Sequence, residues 1–219
     1  MIVNTILAAS FGCLTTMFVM WGKYGKPDPS MTCNGLLAGL VAITAPCAYV
    51  SPWAAAVIGM VAGVLVVLAV VWVEHRAKVD DPVGAVAVHG ANGLWGLLAL
   101  GLFADGHYGD GVNGVAGPVK GLFYGDAGQL AAQIASIVVL VVWCSVACGI
   151  FFTICKRTVG MRVAADVEIA GLDIPEMGAL AYPDFLEAQG TVFYATDGAE
   201  FVDLQESDAA SLREEVGTS

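Results

Sequence analysis

Five stretches of this chain, each about twenty residues or more and free of Asp, Glu, Lys and Arg, limit its fold more than any other feature. They cover residues 2–21, 31–50, 53–73, 83–103 and 130–155. About 20 apolar residues in a helix cross the ~30 Å hydrocarbon core of a bilayer, so each run is long enough to span. No alternation of the outer-membrane barrel kind competes with them. Composition supports this: 58% of residues are hydrophobic and 13% charged, against roughly 25% charged in an average soluble domain, which excludes a lone soluble globule. The expected fold class is an all-α polytopic membrane protein with five transmembrane helices in residues 1–158, embedded in a lipid bilayer. A cytoplasmic region, 159–183, and an acidic tail, 184–219, follow.

The net charge of −11 is unevenly placed. Residues 164–219 hold 13 acidic groups against the single base Arg213, while residues 1–163 hold 7 acidic and 8 basic. A near-neutral apolar body with an acidic tail is a poor partner for nucleic acid. Between the runs, Lys23, Lys26, Arg76, Lys78, Lys156, Arg157 and Arg162 fall on one side and only Lys120 on the other. The positive-inside rule predicts that the basic side is cytoplasmic, with the N-terminus outside, the C-terminus inside and the protein in the cytoplasmic membrane. The first run lacks the basic flank of a cleavable signal peptide, and the chain starts almost within the bilayer, as though preceded by more protein. In the external loop, residues 104–129, Asp105-Gly106, Asp110-Gly111 and Asn113-Gly114 predict successive tight turns.

Small residues recur at helical spacing: Gly35 with Gly39, Gly59 with Gly63, and Gly90, Gly93, Gly96 and Gly101 in the fourth run. In lipid, close backbone approach through such residues is the usual means of helix association. The polar residues inside the runs are fewer. His89 lies about 9 Å into the apolar layer, counted from Val83 at ~1.5 Å per residue. At that depth an ionisable side chain is either part of an ion or substrate path or hydrogen-bonded glue between helices. A neutral imidazole both donates and accepts, which suits a proton relay and not the binding of a permanent cation. Asn92, three positions on, is expected on the same helical face. Asn4 lies near the predicted membrane boundary, where water can solvate it. Thr5 and Thr44 are expected to bond back to their own helices. His75 and His107 read as surface histidines. The six cysteines show no disulfide framework and read as small apolar side chains. No phosphate loop, dinucleotide fingerprint, zinc motif or nucleophile elbow is present, so neither enzyme chemistry nor a cofactor or metal is expected.

The stretch Asp80-Asp-Pro-Val-Gly-Ala-Val-Ala-Val-His-Gly-Ala-Asn-Gly-Leu-Trp-Gly96 resembles the ammonium transporter (Amt/MEP/Rh) helix that carries the second of that family's two pore histidines. Gly39-Leu-Val-Ala-Ile-Thr-Ala-Pro-Cys-Ala-Tyr-Val-Ser-Pro52 and Val3-Asn-Thr-Ile-Leu-Ala-Ala8 are similar to earlier helices of the family. Val159-Gly-Met-Arg-Val163 and Glu168-Ile-Ala-Gly-Leu-Asp173 resemble its cytoplasmic C-terminal region. The resemblance runs from residue 2 to about 183. It implies an eleven-helix fold of two five-helix inverted repeats around a pore, assembled as a homotrimer. Ammonium is recruited outside, deprotonated, and passed as ammonia along two facing histidines.

His89 matches the second histidine, with Asn92, Asn4 and Thr44 as pore or packing support. The five runs correspond to the last five of the eleven helices. The chain is therefore expected to be the C-terminal portion, incomplete alone, since an inverted-repeat site lies between repeats. Gly84 stands where the family has an Asp five residues before the histidine, and Met177-Gly178-Ala179 stands for a His-Gly-Glu pattern. Gly160, Arg162, Gly171, Leu172 and Asp173 fall in the region that, by the resemblance, responds to a P-II signalling protein. Beyond it, residues 191–204 read as a short hairpin about Asp197-Gly198, and the rest of the tail as disordered. A non-conducting membrane anchor or adaptor, whose tail recruits a signalling partner, is the competing reading.

Overall fold

The computed structural model describes residues 1–179 and 181; the expected hairpin at 191–204 and the acidic tail around it lie outside them. The chain forms two compact units, Met1–Gly149 and Ile150–Ser219.

In the first unit, α1 (Ile2–Tyr24), α2 (Pro29–Thr44) and α3 (Pro52–Trp72) pack against one another. Gly25 ends α1 in the left-handed conformation (φ 77°), a backbone setting that costs glycine nothing. Asp28 then starts α2, its Oδ1 accepting from the Met31 N–H at 2.7 Å, with Pro29 in the first turn where no N–H is needed. α2 stops at Thr44, well before the end of the apolar run at residue 50. Pro46 is the reason: it lacks an N–H, so the helical bond back to the Ala42 carbonyl cannot form, even though Ala45 itself keeps helical angles (φ −71°, ψ −48°). Residues 45–50 fold into a tight turn instead, closed by Cys47 N–H to the Ile43 carbonyl (2.8 Å) and Tyr49 N–H to the Pro46 carbonyl (2.8 Å). α3 runs on into a π turn, Val73–Ala77, ended by Lys78. After a charged loop, a second π turn, Val86–Ala91, leads into α4 (Asn92–Phe103). Among the described residues four helical segments are long and apolar enough to cross a membrane: Ile2–Tyr24, Pro52–Ala77, Val86–Phe103 and Ala127–Thr158. The second run, expected as a fifth, contributes only the 16-residue α2.

The glycine spacing is used where α1 lies in the groove between α2 and α3. A methyl group at Gly39 or Gly59 would collide with the carbonyl oxygen of Ala8, and one at Gly12 would come within 2.5 Å of the Gly35 carbonyl oxygen. Backbones therefore touch directly, as expected for helices that associate in lipid. Thr16, fully buried, donates its hydroxyl to the Gly63 carbonyl at 2.8 Å and ties α1 to α3 along their shared face. α4 joins the same way: Gly96 faces the Ala42 carbonyl oxygen, 2.6 Å from where its Cβ would stand, and the Trp95 indole N–H donates to the Ile58 carbonyl at 3.1 Å. Ile43, Ile58, Val66, Val67 and Val88 fill the core between them.

The loop after α4 is a series of turns, as the Asp-Gly and Asn-Gly pairs predict. Asp105 caps one by accepting from the His107 N–H (2.8 Å), and Asp110 another by accepting from the Gly117 N–H (2.9 Å). An antiparallel bridge between Asp105 and Lys120 closes its base, and the Tyr49 hydroxyl holds it at the Val112 carbonyl, 3.2 Å away. α5 (Ala127–Thr158) is 32 residues long and buries none of them against the described residues. In the second unit, Gly160 ends α5, its N–H donating to the Cys155 carbonyl at 3.1 Å. α6 (Ala165–Ala170) and α7 (Asp173–Met177) follow, separated by Gly171.

Candidate functional site

His89 sits in the π turn Val86–Ala91, and the turn's lead-in is braced from both sides. Asp81, buried, accepts the Ala85 N–H through Oδ1 (2.7 Å) and the Val86 N–H through Oδ2 (2.9 Å), capping two of the free donors of the new helix. Between them Gly84 takes φ 72°, a setting for which glycine is the default residue. The amide of Asn34 on α2 donates to the Val83 carbonyl at 3.2 Å and stands 3.1 Å from where a Gly84 Cβ would be. The position where the resemblance expects an Asp is thus a backbone turn covered by a neighbouring amide.

Within the π turn, Ala87 and Val88 are buried against the helix bundle, whereas His89 and Gly90 are exposed. The imidazole makes no hydrogen bond or ion pair among the described residues. It stands exposed on a helix of membrane length, Val86–Phe103. Asn92 departs from the sequence expectation. It does not share His89's face: it is wholly buried, and its Nδ2 donates to the Ala87 carbonyl at 2.9 Å. Residues three apart overlay on an α-helix, but a π turn holds an extra residue in its hydrogen-bonded ring, and the overlay is lost.

The other sequence candidates are elsewhere. Asn4 is not solvated at a boundary: only 6% exposed, it donates to the carbonyls of Cys47 (2.9 Å) and Val50 (2.8 Å). It stitches the start of α1 to the turn that ends α2. The surrounding cavity of about 340 Å³ is lined mainly by apolar groups and by Tyr108 and Gly109 of the loop. Thr44 is exposed and bonds back to the Leu40 carbonyl (2.8 Å), and Thr5 likewise to that of Met1 (3.1 Å). In the second unit, Gly160, Arg162 and Leu172 line a cavity of about 710 Å³ with Glu168 and Glu176. Gly171 and Asp173 lie outside that lining, Asp173 instead accepting the Ala181 N–H at 3.0 Å. All six cysteines are free, and among the described residues no cluster of His, Cys, Asp and Glu could hold a metal ion.

Thr16, Asp81 and Asn34 were not singled out by the sequence. An Asp-Pro pair just ahead of an apolar run is a helix-start signal that identifies Asp81. Nothing local marks Asn34 or Thr16, whose partners are 49 and 47 residues away.

Known proteins resemble this chain over most of its length. The sequence profile of the Ammonium Transporter Family matches residues 1–182. Ammonium transporter Amt2 of Archaeoglobus fulgidus is 48% identical over 184 residues, covering 84% of this chain and 39% of its own length. Ammonium transporter 1 member 1 of Solanum lycopersicum is 40% identical over 185 residues, covering 82% and 37%. The crystal structure of Mep2 from Candida albicans superposes with a TM-score of 0.67 at 29% identity, over 75% of this chain and 36% of that one. The chain thus spans about two fifths of the length of these relatives. With apolar helices of membrane length and a family profile over most of its residues, this chain is an integral membrane protein that belongs to the ammonium transporter family.

Proposed function

We propose that this chain supplies one wall of an ammonium-conducting pore, and that His89 stands in the path. One observation carries the reading: an imidazole exposed on a π turn of a membrane-length helix, on a chain whose relatives are named ammonium transporters. An unpaired imidazole inside a bilayer is costly unless it faces a polar partner or a water-filled passage. Neutral, it can accept a proton or hydrogen bond from a passing nitrogen at one ring atom and donate at the other.

The passage needs walls that these five runs do not supply. Among the described residues none of α5 is buried, and His89 and Gly90 are exposed on their helix. We take the chain as the C-terminal portion of the transporter, completed by helices with the other histidine and joined in a homotrimer. The N-terminus is read as external and the C-terminus as cytoplasmic, from the loop charges. The cavity lined by Gly160, Arg162 and Leu172 is the surface at which a P-II signalling protein would act.

The test is growth rescue of a transporter-deficient strain on limiting ammonium. Its arms are this chain alone, this chain with a complementary half, and the pair carrying His89→Ala. Rescue by the pair, lost or at least tenfold weaker with His89→Ala, is expected. Equal rescue with His89→Ala would remove His89 from the path. No rescue in any arm, with insertion verified, would favour an anchored adaptor.

A further inference from the structure

We propose that Asn92 is a positioning residue for His89, holding the π turn that turns the imidazole out of the helix bundle. This rests on the reading of His89 as a pore residue only for its purpose; the geometry stands without it. The residue presents an oddity that packing does not explain. Its side chain is 0% exposed, yet only one end of the amide is used. Nδ2 donates to the Ala87 carbonyl, while Oδ1 is buried with no hydrogen-bond partner among the described residues. A buried amide with an unpaired oxygen is a poor filler of apolar space; leucine has nearly the same shape and nothing to desolvate. What asparagine adds over leucine at this point is the donor, and the donor goes to a carbonyl five residues back.

That reach matches the turn in which it lies. In an α-helix the carbonyl at i accepts from the N–H at i+4, and a side chain at i+5 has no natural place beside it. The π turn opens the ring by one residue. The side chain of Asn92 closes onto the Ala87 carbonyl, five residues back, while its backbone N–H ends the turn in a tighter ring onto the His89 carbonyl, three residues back. One residue thus bonds to two carbonyls of the turn, and His89 is the residue at one of them. The result is the exposure pattern seen along the turn, with residues 87 and 88 buried and 89 and 90 exposed. Relaxation to regular α geometry would shift the phase of everything before Asn92 by one residue's rotation and carry the imidazole toward the packed side.

The test reads that phase. In the full chain, with native cysteines replaced, the single variants Val88→Cys and His89→Cys are alkylated with N-ethylmaleimide in detergent. The thiol at position 89 should react at least tenfold faster than the thiol at position 88. Asn92→Leu should reduce that ratio at least fivefold, whereas Asn92→Gln, which keeps an amide donor, should largely restore it. An unchanged ratio in Asn92→Leu overturns the proposal.

If Asn92→Leu does not fold, a measurement on the unaltered chain decides. By NMR, the Asn92 side-chain amide should exchange with D2O at least a hundredfold more slowly than that of Asn113, which is exposed in the loop. Fast exchange at Asn92 overturns the proposal. Neither readout involves transport. A His89→Ala pair that still rescues growth would therefore strike the pore reading and leave the positioning role intact.

Discussion

Replacing Gly59 by alanine tests whether α1 is held by direct backbone contact. A Cβ at this position would stand 2.7 Å from Ala8 Cα and 2.9 Å from its carbonyl carbon, with the carbonyl oxygen nearer still. Ordinary contact begins near 3.4 Å, so α1 would have to back away by about 0.7 Å at least. The three nearest atoms all belong to the backbone of Ala8 in α1, so no flexible side chain can relieve those contacts. Moving α1 out of its groove also lengthens the buried Thr16 hydroxyl bond to Gly63, which starts at 2.8 Å. Overpacking of this kind costs about 1–3 kcal/mol, and a weakened hydrogen bond about 1 kcal/mol more. The better helix propensity of alanine returns up to about 1 kcal/mol.

The net expectation is a loss near 2 kcal/mol, about 30-fold in the folding equilibrium. The assay is reversible unfolding of the purified chain in mixed micelles, followed by circular dichroism. Gly22→Ala is the control, since nothing lies within 4 Å of its Cβ position. A Gly59→Ala protein within 0.5 kcal/mol of the parent would refute the backbone-contact argument.

Two further outcomes follow from hydrogen bonds to backbone groups. Asn4→Leu leaves the carbonyls of Cys47 and Val50 without their side-chain donor and should cost about 1–3 kcal/mol in the same unfolding assay; a loss below 0.5 kcal/mol would mean water replaces the amide freely. Asp81→Ala uncaps the N–H groups of Ala85 and Val86, at about 1–2 kcal/mol. Hydrogen exchange across residues 85–91 should rise at least tenfold, with exchange in α3 unchanged. Equal protection in both proteins would show that the cap does not hold the turn.

The parts of this fold that could be read from sequence are those set by local pattern. Glycines four apart marked the α1 groove because helix geometry alone places Gly35 with Gly39 and Gly59 with Gly63 on common faces. Asp-Gly and Asn-Gly pairs marked the loop turns because those residues accept the required backbone angles. The end of α2 was legible too, in Pro46, but counting apolar residues overlooks a break that hydropathy does not register. Asn4 could not be placed from its distance to a predicted boundary, since what buries it is a turn 43 residues onward. The face of Asn92 was beyond any periodicity argument. A π turn changes the period itself, and nothing in Val-Ala-Val-His-Gly-Ala announces one.

α5 is longer than a hydrocarbon slab is thick. Its charge-free portion, residues 130–155, is 26 residues, or about 39 Å of helix, against a hydrocarbon slab of roughly 30 Å. If leaning alone absorbs the difference, the helix axis inclines about 40° from the bilayer normal, the upper end of what spanning helices adopt. A rod laid so obliquely meets different neighbours near its two ends, and its footprint shifts sideways by some 25 Å between the leaflets. Local membrane thickness then becomes a mechanical variable for this protein: thinner bilayers lay the rod flatter, thicker ones stand it upright.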